Sequence, residues 1–293
     1  VWIDIVFSGG GVKGFAFVGA LDVLEKSGYR FRRAAGTSAG AIVAALLAAG
    51  CDASELRQLM NELDASKLLD PPSGFRFPFY KWLRLYFRMG LYRGDALEHW
   101  LVRTLEERGI TSFADLPDGA LKIVASDVSR GRLLVLPDDL EDYGIYPSTF
   151  PVARAVRMSI GLPFFFEPVS LFDGNGKRSL IVDGGLLSNF PIWIFEKGGA
   201  RPLRPFLGLQ ATSDEAEQPQ RIGNAVELFR GIFTTMQQAH DARAVDELKQ
   251  PNVIRLPIGK IKITDFAIAA EEKERLFRIG AKATQRFLKK WTY

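Results

Sequence analysis

One cysteine, Cys51, and two histidines, His99 and His240, are all that the 293 residues contain of those types. A single cysteine permits no internal disulfide and no cysteine metal cluster, so neither a disulfide scaffold nor structural zinc is expected, and no metal or cofactor is called for. Long apolar runs are also missing. The longest, from Ala39 to Cys51, is 13 residues, short of the roughly 20 that a membrane-spanning helix requires. The opening stretch Val1 to Phe7 is too short for a signal core and carries Asp4. Positive charge is in small excess, 38 basic against 34 acidic residues for a net charge of +4, too little to build a nucleic-acid surface by itself. No internal repeat or long linker interrupts the chain. The expectation is a cytoplasmic protein with peripheral membrane contact and no nucleic-acid partner.

What the chain has is apolar content, 47% of residues, enough for a substantial core. Trp2 to Phe7 reads as a buried strand, broken by Ser8 and glycines, and Val12 to Lys26 then carries apolar residues at helical spacing. Arg30 to Ala35 is a second strand, and Ala41 to Ala49 an apolar helix ended by Gly50. Leu121 to Asp127 and Arg132 to Leu136 read as strands joined in a hairpin through Ser129-Arg130-Gly131. Short strands at Ser179 to Val182, Phe206 to Gln210 and Asn252 to Leu256 follow, with long helices at Ile222 to Leu248 and Glu271 to Trp291. Strands alternating with helices predict an α/β fold, a three-layer α/β/α arrangement with a mainly parallel central sheet.

Two glycine motifs stand at the ends of the first two strands. Ser8-Gly9-Gly10-Gly11-Val12-Lys13-Gly14 lies between a strand and a helix, where backbone amides and the helix dipole favour negative charge. Gly9, Gly11 and Gly14 satisfy the spacing of a dinucleotide loop, but that reading needs an acidic residue after the second strand, and Ala34, Ala35 and Gly36 stand there. A phosphate-cradling loop of the nucleotide-hydrolase kind also fails on spacing. The second motif, Gly36-Thr37-Ser38-Ala39-Gly40, is a G-x-S-x-G. It places a serine on a tight strand-to-helix turn, with small residues where neighbouring backbone passes close. Ser38 is thus either a nucleophile beside oxyanion donors or a simple helix cap.

A nucleophilic serine needs a base. His99 falls at a helix start. His240 follows Ser38 and an aspartate in the order of a serine–aspartate–histidine esterase, yet sits inside a long helical pattern. Asp183 ends the apolar run Leu180-Ile181-Val182 and precedes Gly184-Gly185, so its carboxylate emerges at a strand's C-terminal end, the edge where open α/β sheets build sites. Burial against the serine hydroxyl would raise its basicity. The plain alternative is an Asp-Gly-Gly turn.

Together, Gly9 to Gly14, Gly36 to Gly40 and Asp183-Gly184-Gly185 resemble the patatin-like phospholipases. So do Arg157-Met158-Ser159-Ile160-Gly161-Leu162-Pro163-Phe164-Phe165-Phe166 and Leu186 to Pro191. The resemblance covers about the first 200 residues. It implies one domain over 1–293, with a motif-bearing core at 1–210 and a helical C-terminal portion at 211–293. It also implies a metal-free Ser–Asp dyad acting on phospholipid or other acyl-lipid substrate. Ser38 would be the nucleophile, Asp183 the base, and the amides of Gly9, Gly10 and Gly11 the oxyanion hole. Lys13 stands where the family loop often has arginine, and lysine lacks the planar fork that holds phosphate at two points. Arg157 is a further candidate for substrate contact. The rival readings are a histidine-dependent esterase using His240 and a non-catalytic lipid-binding protein.

Acidic residues are absent from Pro71 to Gly94, where Phe75, Phe77, Phe79, Tyr80, Trp82, Tyr86, Phe87 and Tyr92 interleave with Arg76, Lys81, Arg84, Arg88 and Arg93. Aromatic rings beside cations suit a membrane interface, with Phe79, Trp82 and Arg84 as contact candidates. The same composition suits a lid whose rings pack inward while its arginines stay in water.

Overall fold

A computed structural model describes residues 1–11, 14–62, 69–70, 78–196, 204–212, 222–223, 227–229, 231–237, 239, 252–259 and 269–291. An eight-stranded sheet is built from β1 (Trp2–Phe7), β2 (Arg30–Thr37), β4 (Leu121–Asp127), β5 (Arg132–Leu136), β7 (Val169–Phe172), β8 (Arg178–Asp183), β9 (Phe206–Thr212) and β10 (Val253–Pro257). Its order is β10-β9-β1-β2-β4-β8-β7, with β5 paired to β4. A separate two-stranded sheet joins β3 (Gly90–Tyr92) to β6 (Phe164–Phe166) in parallel. The helices are α1 (Gly14–Lys26), α2 (Ala39–Ala48), α3 (Ala53–Glu62), α4 (Pro78–Arg88), α5 (Asp95–Glu106), α6 (Val152–Ser159) and α7 (Ala270–Leu288), and residues 227–229, 231–237 and 239 are also helical.

Side chains alternate across β1, which separates two cores. Ile5 and Phe7 join the large core formed with α1, α2, α5, α6 and α7, whereas Val6 packs with Ala35, Phe206 and the helical turn around Ile192 and Phe195 on the other side. Strands buried on both faces read as continuous apolar runs, as β1 does. The fold is α/β, with helices on both sides of the sheet. It is mixed rather than wholly parallel. The strands β10, β9, β1, β2 and β4 run parallel, while β8 is antiparallel to β4, β7 to β8 and β5 to β4. For β7 and β8 the reason is connection length. Only a short turn joins β7 to β8, and Asp173 closes it by accepting the Asn175 and Lys177 amides at 3.0 and 2.9 Å. Parallel neighbours need a crossover that such a link cannot make.

The C-terminal portion is not purely helical, since β10 extends the sheet beyond β9. There α7 crosses α1 at very close range. A β-carbon added to Gly280 would lie 1.9 Å from the Ala16 carbonyl oxygen, and one added to Gly19 would lie 2.0 Å from that of Phe277. Residues 240–251 and the other undescribed positions of the expected Ile222 to Leu248 helix lie outside the described residues, but 227–229 and 231–237 are helical.

Candidate active site

Ser38 follows β2 and precedes α2 in a backbone conformation that side chains rarely adopt, φ 54° and ψ −124°. Neighbouring backbone enforces the turn. A β-carbon on Gly36 would sit 2.4 Å from the Gly40 backbone, and one on Gly40 would sit 2.5 Å from the Ser8 carbonyl oxygen. Larger residues at either place would push the serine away from the glycine loop. The Ser38 amide donates to Ser159 Oγ at 2.9 Å, and Ser159 Oγ donates to the Val124 carbonyl at 2.6 Å. A fully buried hydroxyl from α6 therefore ties the serine turn to β4. Thr37 adds a second tie, donating to the Ser188 carbonyl at 3.0 Å.

Asp183 ends β8 and is 3% exposed. Its side chain accepts a hydrogen bond at 2.7 Å from the Gly185 amide and lies beside the Ser38 hydroxyl, which favours its charged form. The two residues meet differently from the sequence expectation. Because β8 runs antiparallel to β4, it brings Asp183 to the end of β2 from the opposite direction. Pairing brings them level: Thr37 pairs with Val124, and Asp183 with Ala125, across the intervening β4. Gly184 then lies flat on β4, where a β-carbon would come within 2.2 Å of the Val124 carbonyl oxygen. Burial raises the Asp183 carboxyl from 3.8 to about 6, against the smaller opposing effects of the Gly185 and Ser38 hydrogen bonds. Desolvation is the cause, since it penalises the charged form and no cation compensates among the described residues.

The glycine loop flanks this pair. A β-carbon on Gly9 would stand 3.4 Å from Ser38 Cβ. Gly9 differs from the expectation in one respect. Its amide already donates to the Asn189 carbonyl at 2.8 Å, so it anchors the loop and has no proton left for an oxyanion. Gly10 and Gly11, at φ 155° and 58°, are the two whose amides take no acceptor among the described residues. Lys13 lies outside the described residues, as does His240. Asn189 and Gln237 complete the surroundings: Gln237 Nε2 contacts Asn189 Oδ1 at 3.4 Å, and both reach Gly185.

The other candidates sit away from the serine. Arg157, on α6, is buried and donates to the carbonyls of Arg93 and Glu167, the latter at 2.9 Å, with its charge disfavoured by desolvation. It fastens the β3–β6 sheet to α6. Arg84 is buried too, paired with Glu167 at 2.6 Å and bonded to the Leu91 carbonyl at 3.2 Å. Phe79 and Trp82 face water, 77% and 71% exposed. This differs from the lid arrangement in that these rings point out and Arg84 points in, while Arg88 and Arg93 stay exposed. Phe75 and Phe77 lie outside the described residues. Ser159 and the occupied Gly9 amide were beyond sequence reasoning. The only signal for Ser159 was its place inside the Arg157 to Phe166 segment.

A mixed-sheet α/β protein with a serine on a strained strand-to-helix turn, a glycine loop and a buried carboxylate is the class these features define. The chain belongs to the patatin-like phospholipase family, whose model matches residues 5–196. It is 48% identical over its full length, and that of its relative, to the uncharacterised protein YqhO of Bacillus subtilis. It is 23% identical over 99% of its length to Lysophospholipase NTE1 of Cryptococcus neoformans, of which it spans 17%. Among solved structures, VipD of Legionella pneumophila matches with a TM-score of 0.60 at 19% identity, over 98% of this chain and 66% of VipD. Among the described residues, no helix is long and apolar enough to cross a membrane.

Proposed function

We propose that the protein is a lipid acyl hydrolase working through a Ser38–Asp183 dyad on phospholipid or another acyl lipid presented at a membrane surface. One observation carries the reading: Ser38, on its strained turn, lies beside the buried carboxylate of Asp183, whose pKa is raised by burial to about 6. Near neutral pH that carboxylate is still ionised, yet is about two pK steps more basic than an ordinary one, which suits it to accept the serine proton. Ser38 Oγ attacks the ester carbonyl as its proton passes to Asp183. The Gly10 and Gly11 amides receive the developing oxyanion. Collapse expels the alcohol, which takes the proton back from Asp183, and leaves an acyl group on Ser38. Water, deprotonated by Asp183, then attacks the acyl carbon and releases the fatty acid with Ser38 restored.

The family membership and the lysophospholipase name of a distant relative support a lipid ester as substrate. The test compares Ser38→Ala, Asp183→Asn and His240→Ala on a p-nitrophenyl ester and on phospholipid vesicles. Ser38→Ala should lose at least about a thousandfold in kcat and Asp183→Asn about 10²–10⁴-fold, with His240→Ala close to wild type. Loss confined to His240→Ala, with Asp183→Asn active, contradicts the dyad.

A further inference from the structure

Helix α4 is amphipathic the wrong way round for a protein surrounded by water. Phe79, Trp82, Leu83, Tyr86 and Phe87 recur at the i, i+3, i+4, i+7, i+8 spacing of a single helical stripe. That stripe normally faces a core. Here all five side chains face outward, with Tyr86 and Phe87 80% and 66% exposed. The inward position is held by Arg84 instead, through its pair with Glu167 and its bond to the Leu91 carbonyl. Rolling the helix to bury its rings would expel Arg84 and break both bonds, so the fold holds the apolar face out. Contiguous exposed apolar surface of this kind marks a contact face.

We propose that this face is a docking surface for a bilayer rich in anionic lipid. Lys81 and Arg88 are exposed on the same helix, and no acidic side chain occurs from Pro78 to Gly94, so the contact is apolar with a cationic flank. Rings at headgroup depth beside cations are what such an interface selects. The surface also continues toward the site. From α4 the chain enters β3, which pairs with β6, and Phe164 of β6 stacks edge-on against Phe229 at 4.5 Å. Leu228 and Ile232 beside it are half exposed, and farther along these helical residues Gln237 reaches Asn189 and Gly185, next to Asp183. Exposed apolar side chains of β6 and of these helical residues thus stand between the β3–β6 sheet that α4 leads into and the polar pair Asn189 and Gln237 beside the dyad. The inference deepens the lipid-hydrolase reading, but docking can be scored without turnover, so either can fail alone.

The experiment uses the full chain carrying Ser38→Ala, sedimented with vesicles of phosphatidylcholine alone and with phosphatidylglycerol added. The parent should partition strongly onto the anionic vesicles. Adding Trp82→Ser, Tyr86→Ser and Phe87→Ser should lower that partitioning at least about tenfold while leaving the unfolding temperature in place, since these rings already stand in water. Lys81→Glu with Arg88→Glu should remove the preference for phosphatidylglycerol and keep the apolar stripe. Should the triple variant not fold, Tyr86→Ser alone, at the most exposed ring, decides by the same loss. Partitioning unchanged by these substitutions overturns the proposal. So does a concentration-dependent dimer of the parent that the ring substitutions abolish, because the stripe would then face a second copy.

Discussion

Asp183 differs from the other fully buried aspartates in having no cation beside it. Asp4 is paired with Arg33 and Arg204, and Asp127 accepts from Tyr143 and two backbone amides with Arg130 nearby. Asp183 has only the Ser38 hydroxyl and one amide. Its raised pKa has a cost in stability. Between its ordinary value and about 6 the native state holds a proton that the unfolded state has released, so stability falls as pH rises through that window. Above it the ionised side chain destabilises the fold by about 3 kcal/mol. Asp183→Asn is therefore expected to unfold at higher urea than wild type near about pH 8, by about 2–3 kcal/mol, with the difference gone near about pH 4, while activity is lost. Equal stability at both pH values would show that the carboxylate is not desolvated. Ser38 carries strain of a different kind. Ser38→Gly should be more stable than Ser38→Ala by about 1 kcal/mol, because only glycine occupies that backbone conformation without penalty. Chemical denaturation of the two inactive variants measures it.

At the scale of elements, the legible parts were those whose cause is local. The G-x-S-x-G spacing follows from backbone packing within five residues, and the Leu180 to Asp183 run with two glycines after it marks a strand that stops at a turn. Apart from the β4–β5 hairpin, strand direction was not legible, because apolar runs look alike in parallel and antiparallel pairs and the turn at Asp173 had to be seen to settle that of β7 and β8. Nor was the tie between Ser38 and Ser159, set by residues 121 apart in sequence. The orientation of α4 was open for the same reason: its interleaved rings and cations were readable, but which way they face depends on Arg84 meeting Glu167, 83 residues on. The α1–α7 crossing gives a prediction at this scale. Gly280→Ala should destabilise by about 1–3 kcal/mol or more, as no flexible side chain can yield to the added carbon, only the Ala16 backbone. An unfolding free energy unchanged from wild type would mean the helices do not cross so closely.

Considered whole, the molecule divides labour between a rigid sheet and a face turned outward. The parallel strands β1 and β2 deliver the glycine loop and the serine, while antiparallel β8 brings the carboxylate back across β4 to meet them. Arg157 and Arg84 join the small β3–β6 sheet and α4 to this frame, so the apolar surface stands in a fixed relation to the dyad. The modest net charge of +4 conceals this arrangement, since the stretch without acids is the one that carries the exposed rings. The proposed chemistry turns on Asp183 acting as the base for Ser38. The most direct measurement is kcat/KM against pH on a short-chain soluble ester, which reports the ionisations of the free enzyme. The expected profile rises through an apparent pKa of about 6 to a plateau near neutrality, is unchanged in His240→Ala, and has lost that limb together with nearly all activity in Asp183→Asn. A rising limb that survives in Asp183→Asn and disappears in His240→Ala would make His240 the base instead.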